Sequence, residues 1–308
     1  MANKSSTCIS KHAYFDRLLE RTNQWGQAEI NLGSLAKLNT DTGDFHFAAN
    51  AHLRRGQAQL RAGFPKRANE SFLTALKIIK QNEGKTPPYR VHLRLLNYQA
   101  LVLRAKGELP KALDKLKNES LPMANDHCSR AAFASVINRI ALVECELKDF
   151  ASAYSHILEA IRIRLKFNMR SEAVRSLLIL GTIHEGNGEQ EKELFVWELA
   201  LRWQQYLGDD ESMPEALFRI GSLYMKLMTA NSEKKITTIE LTLRRFSGLP
   251  EFDLLEPIAK ETGFEGIQVK ASGLRQSARN AFVRCTDVEE RLGQGTYTDR
   301  ANELLRGL

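Results

Sequence analysis

Cysteine is scarce in this chain and scattered. Cys8, Cys128, Cys145 and Cys285 form no CxxC pair, which argues against a zinc ribbon and a disulfide framework and leaves the expectation of reduced, partly buried thiols. Long apolar runs are missing as well: no window approaches the 18 uninterrupted apolar residues of a spanning segment. The opening stretch MANKSSTCISKHAYF holds no apolar core of a signal peptide. These absences give the expectation of a cytoplasmic or nuclear protein without a membrane partner. A phosphate-binding loop is excluded too. Gly84-Lys85-Thr86 resembles its tail, but Ile79 stands where the motif needs glycine, and Pro87-Pro88 follows where it needs a helix.

The ingredients of catalysis are equally thin. His127-Cys128 offers an adjacent base and nucleophile, but neighbouring residues on a helix or loop point apart and no third orienting group is evident. His52, His156 and His184 show no metal-ligand spacing. The expectation is no enzyme, no metal and no cofactor.

What is present is ordinary material for a packed core: 308 residues, 43% hydrophobic and 26% charged. The net charge is +7. From Ser232 onward twelve basic residues meet twelve acidic ones, so the excess, 32 against 25, lies before it.

The chain is organised around Val174 to Leu207. Leu177, Leu180 and Ile183 recur at helical spacing before Glu185-Gly186-Asn187-Gly188, and Leu194, Trp197 and Leu201 do so after it, which predicts a helix, a tight turn and a second helix. Gly181 is placed for a close helix approach and Gly188 for the turn. From Gly181 the offsets are seven to Gly188, sixteen to Trp197 and nineteen to Ala200. The same offsets from Gly56 give Gly63, Phe72 and Ala75, with Ala68 at twelve. From Ala100 they reach Gly107, Ala112 and Leu116, and from Ala141 they reach Ala153, Ile157 and Ala160. Successive anchors step by 44, 41 and 40 residues, and another 40 reaches Gly221. A repeat at this period is the signature of an array.

These residues resemble the tetratricopeptide repeat, with a period near 40 instead of 34. Four units, from about Ala49 to Leu207, carry the resemblance, and a fifth has its first helix. Lys148 stands in place of a turn glycine, and Glu119 and Glu193 stand where alanine is expected. The resemblance implies an all-α fold: a right-handed superhelical solenoid of antiparallel helix pairs with a C-terminal helical cap. The expected organisation is an N-terminal capping pair over residues 1–45, with helices HAYFDRLLERTN and GQAEINLGSLAKLN, a repeat array over 46–247 and a helical extension over 248–308. ITTIELTLRRF is expected as the second helix of the fifth unit, and a helix is expected from about Val269 to Leu292.

The resemblance also implies that the first helix of each pair lines a concave side. Offsets before and after the anchors then place Arg54, Gln57, Arg61, Arg94, Asn97, Tyr98, Asn138, Arg139, Arg175 and Arg219 on that face. Asparagine offers a donor and an acceptor to an extended peptide unit, and arginine a fork to a carboxylate. The expected function is a non-enzymatic adaptor or scaffold whose basic, asparagine-containing groove holds an extended, acidic segment of another protein. The alternatives are RNA or DNA binding through the basic face, with Tyr98 as the one aromatic platform among those positions, and a structural subunit bound through its convex side. No feature fixes an oligomeric state.

Overall fold

The computed structural model describes residues 25–82, 88–210, 212–234, 238–293 and 295–308. The helix expected over His12–Asn23 and the side chain of Arg61 lie outside the described residues. The chain divides into two compact units, Met1–Leu147 and Lys148–Leu308.

The first unit runs α1 (Trp25–Asp41), α2 (Phe45–Arg61), α3 (Pro65–Gln81), α4 (Pro88–Ala105), α5 (Leu109–Lys115), α6 (Leu121–His127) and α7 (Arg130–Glu146). Proline opens α3 and occupies the first turn of α5, where its missing N–H has no intrahelical acceptor to lose. The Ser129 hydroxyl accepts from the Ala132 N–H at 3.3 Å and caps α7. Turns close in one repeated way: the N–H of Asp44, Phe64 and Glu108 each donates to the carbonyl five residues back, and Gly43, Gly63 and Gly107 adopt positive φ beside them. Ala28, Leu32 and Leu35 of α1 are buried at the offsets twelve, sixteen and nineteen that a preceding unit requires.

Between α5 and α6 the helix continues through a π segment, Leu116–Ser120, with Leu121 N–H donating to the Leu116 carbonyl. Pro122 cannot donate to the residue four before it, and the wider ladder absorbs the extra residue. This explains Glu119. The bulge shifts the register by one, so Ser120 is buried in the small-residue slot, while Glu119 faces outward to the Lys115 ammonium at 2.8 Å.

The second unit holds α8 (Phe150–Lys166), α9 (Arg170–Gly186), α10 (Gln190–Leu207), α11 (Met213–Lys234), β1 (Thr238–Thr242), α12 (Phe252–Thr262), β2 (Gly266–Lys270), α13 (Leu274–Leu292) and α14 (Thr298–Gly307). Lys148 takes φ 63° and does the work of the glycine it replaces; Asn168, at φ 54°, does the same before α9. Gly181 admits the Trp197 ring, which a Cβ there would meet at 2.7 Å.

The fifth pair departs from the sequence expectation. The described part of ITTIELTLRRF is not an α-helix: Thr238–Thr242 is a strand antiparallel to Gly266–Lys270, with Ile239 opposite Val269 and Leu241 opposite Ile267, followed by a 3-10 turn over Leu243–Phe246. The β-branched residues and the alternation of Ile239 and Leu241 with polar neighbours favour the pleated form. Val269, expected in a helix, belongs to β2, and the helix starts at Leu274. The true second helix of this pair is α13. Ala278, Phe282 and Cys285 are buried and follow the offsets twelve, sixteen and nineteen from Gly221 once the same 45 intervening residues are removed. Phe282 meets Gly221 as Trp197 meets Gly181.

The inserted module packs on the second helices α8 and α10. Phe195 of α10 lies between Phe246 and Phe264, with ring centroids at 4.7 and 5.3 Å. Beneath it, buried Glu251 accepts a hydrogen bond from the Tyr154 hydroxyl. His184 Nδ1 is 2.7 Å from Glu189 Oε2, and burial holds that imidazole below its ordinary pKa.

Candidate partner-binding surface

The first helices of the first unit, α2, α4 and α7, carry most of the expected groove residues. Side chains of successive first helices meet in space. Arg94 of α4 donates to the side-chain Oδ1 of Asn50 on α2, both six residues before their anchors. The Tyr98 hydroxyl donates to Gln57 Oε1 at 2.5 Å. Arg104 at the end of α4 pairs with Glu146 of α7 at 2.6 Å. A face shared by successive first helices therefore exists in this unit.

Exposure separates these residues. Arg94 is exposed, and Arg54, Gln57, Asn138 and Arg139 are half-buried. Asn97 and Tyr98 are each only 8% exposed. Tyr98 stacks on Phe72, with centroids 5.1 Å apart, so its ring packs the joint between pairs. Asn97 Oδ1 is buried without a hydrogen-bond partner. Burial and the nearby Arg94 charge lower the pKa of His46.

In the second unit Arg175 of α9 is exposed, and among the described residues no carboxylate pairs with it. Arg219 of α11 is held at 2.7 Å by Glu185 of α9, which also takes Lys226 at 3.1 Å. Its guanidinium lies over the Trp197 ring at 5.9 Å. Sequence reasoning overlooked the acids on this face. Glu146 lies five residues after Ala141, an offset already in use, and Glu185 lies four after Gly181; both neutralise bases of the next or preceding first helix.

Among the described residues no group of three His, Cys, Asp or Glu side chains is arranged to hold a metal ion. His127 stacks on Tyr89 with centroids 4.1 Å apart. Burial pushes the thiols of Cys145 and Cys285 up to about 12. Among the described residues no helix is long and apolar enough to cross a membrane.

Comparison with known proteins places the fold. No family model matches the chain, and no curated protein matches it. Solved structures do. BtubC (BKLC) from P. vanneervenii is 14% identical with a TM-score of 0.53, over 90% of this chain and 92% of that one. The apo form of RapI is 14% identical with a TM-score of 0.55, over 97% of this chain and 76% of that one. A signal-transduction ATPase with a tetratricopeptide-repeat sensor from Pyrococcus horikoshii is 12% identical with a TM-score of 0.52; the match takes in 95% of this chain and 44% of that one. The fold is that of tetratricopeptide-like helical-repeat proteins, as the sequence resemblance implies.

Proposed function

We propose that this tetratricopeptide-like array is a non-enzymatic adaptor that holds an extended, acidic segment of a partner protein along the first-helix face formed by α2, α4 and α7. The observation that carries the reading is the placement of Arg94. It is exposed, and Asn50, which accepts its hydrogen bond, is neutral, so the full guanidinium charge remains for a ligand carboxylate. Asn138 and Arg139 of α7 and Arg54 of α2 extend the same set of offsets and offer donors and acceptors to a peptide backbone. Arg175, exposed and without a carboxylate partner among the described residues, supplies a further cation in the second unit. The organisation into a capping pair, an array and an extension belongs to the same reading.

The acids found on the face favour a peptide over a nucleic acid. Glu146 takes up Arg104 on this face, and in the second unit Glu185 takes up Arg219 and Lys226, which lowers the number of phosphates these faces can neutralise. The outer side of α8 and α10 already carries the inserted module. Affinity purification followed by mass spectrometry tests the proposal: the wild-type chain is expected to retain a protein with an acidic extended segment that Arg94→Gln with Arg139→Gln loses. Retention of the same partner by that variant, or recovery of nucleic acid alone, would overturn it.

A further inference from the structure

The chain's last helix covers positions that the repeat assigns to the first-helix face. Phe218 of α11 stands three residues before Gly221, the offset that holds Asn97 before Ala100 and Asn138 before Ala141. It carries a ring where those pairs carry an amide. That ring is only 6% exposed, and its cover comes from the chain itself. Tyr297 stacks on Phe218 with centroids 5.1 Å apart, and the Arg300 guanidinium of α14 lies over the same ring at 5.4 Å. Phe282 of α13 meets Phe218 from another side at 5.8 Å. Arg219, Ser222 and Lys226, at the neighbouring offsets on α11, line a cavity of about 190 Å³ together with Tyr297 and Arg300.

Few contacts hold this cover. Ala301 is the one buried side chain of α14 among the described residues, and the cavity leaves contact with α11 concentrated on the Phe218 ring. Buried Glu289 of α13 anchors the entrance to the helix, accepting from the Tyr297 N–H at 2.9 Å and from the Thr298 hydroxyl at 2.7 Å. Gly293, at φ 63°, and Gly295 lie in the turn that joins α13 to α14, so the connection has the backbone freedom to let the helix leave. A free helix of ten residues is marginal in water, and an element with one buried side chain belongs to the low end of local stability.

We propose that α14 is a displaceable strap, and that the seat it fills on α11 and α13 is a docking site for a partner's helix with the same three features: an aromatic residue at its start, an arginine three residues on and a small residue four on. Tyr297, Arg300 and Ala301 are those features in the strap. The aromatic ring covers Phe218, the arginine sets a cation over that ring, and the small residue fits where Ala301 is fully buried. With the strap seated the site is shut, so strap and partner compete for one surface. Without Arg300 the seat holds two cations, Arg219 and Lys226, and two carboxylates, Glu185 and Glu193. Charge therefore favours neither sign of ligand, and recognition falls on the Phe218 ring.

Fluorescence anisotropy with a labelled peptide of the strap's own sequence, residues 295–308, tests the seat on the full chain carrying Tyr297→Ala with Ala301→Asp. Both substitutions lie in the strap and leave Phe218 and Glu289 in place. The peptide is expected to bind that variant with Kd below about 1 mM, and to bind wild type, whose seat is filled, at least about tenfold more weakly, a factor worth about 1.4 kcal/mol. Tyr297→Ala within the peptide is expected to lose the same factor. Hydrogen exchange of wild type gives a second reading that needs no variant: the amides of Thr298–Gly307 are expected to exchange at least about tenfold faster than those at the centre of α11. No binding by the folded variant, equal binding by wild type or by the alanine peptide, or exchange in α14 as slow as in α11 would overturn the proposal. The acidic-peptide reading concerns α2, α4 and α7 of the other unit and depends on Arg94, so either proposal fails without the other.

Discussion

Phe282 packs against Gly221 although 61 residues separate them, where the equivalent partners Trp197 and Gly181 are sixteen apart. One packing rule therefore joins adjacent and distant segments: a large ring occupies the space left by a missing Cβ, and the helix pair forms wherever the chain supplies that ring. Between the two helices lies the antiparallel strand pair with a helix between its strands.

Adding a methyl group at this contact tests the rule. A Cβ at Gly221 would stand 2.8 Å from the Phe282 ring, and one at Gly181 2.7 Å from Trp197. Gly221→Ala and Gly181→Ala are each expected to destabilise the protein by about 1–3 kcal/mol through overpacking, measured by urea denaturation. Gly273→Ala, where among the described residues a Cβ meets nothing within 4 Å, serves as the unstrained control.

Left-handed backbone at a non-glycine residue costs about 1–2 kcal/mol. Lys148 adopts φ 63°. Lys148→Gly is expected to change stability by between zero and about +1 kcal/mol, since the relief of strain is offset by the greater freedom of glycine in the unfolded chain. Thermal denaturation reads the difference, and a loss of stability would contradict the turn geometry.

Glu193 gives a pH signature. Its carboxyl titrates at about 7 in the folded chain against the ordinary 4.5. The folded state holds the extra proton between those values, so this contribution is present below 4.5 and is lost as pH rises through 7. Glu193→Gln is expected to stabilise the protein by about 1–3 kcal/mol at pH 8 and by little at pH 5, at 1.36 kcal/mol per pH unit. Denaturation midpoints at the two pH values check it. His184, whose pKa is lowered by burial, contributes the opposite slope below its unfolded pKa, and it is common to both proteins.

The inserted module depends on the aromatic group at Phe195. Phe264→Ala removes a ring that is nearly buried and is expected to cost about 3–5 kcal/mol. Hydrogen exchange of the strand pair Thr238–Thr242 with Gly266–Lys270 is expected to accelerate more than that of α9. Uniform acceleration across the second unit would show that the module is not a local element.

The helix pairs were legible because their signal is local: small residues at the crossings, rings sixteen positions later and glycines at the turns. The fifth pair was not, since period arithmetic assumes that the second helix follows directly, and 45 intervening residues hide Ala278, Phe282 and Cys285. The strand signal in Thr238–Thr242 was present in its alternation and β-branching, yet a repeat expectation overrode it. At Glu119 a π bulge moved the slot by one residue, which no spacing rule anticipates. On the candidate surface the basic positions were readable, while the acids opposite them were missed, because pairing between Arg219 and Glu185 depends on how neighbouring first helices approach.

The central claim is that the first-helix face of the first unit holds an acidic extended peptide. Fluorescence anisotropy with a labelled Glu-rich peptide, comparing wild type with Arg94→Gln and Asn138→Ala together, measures it most directly. The expected result is at least a tenfold loss of affinity, about 1.4 kcal/mol, with stability preserved and with wild-type binding weakened by added salt. Unchanged affinity in the folded double variant would contradict the account.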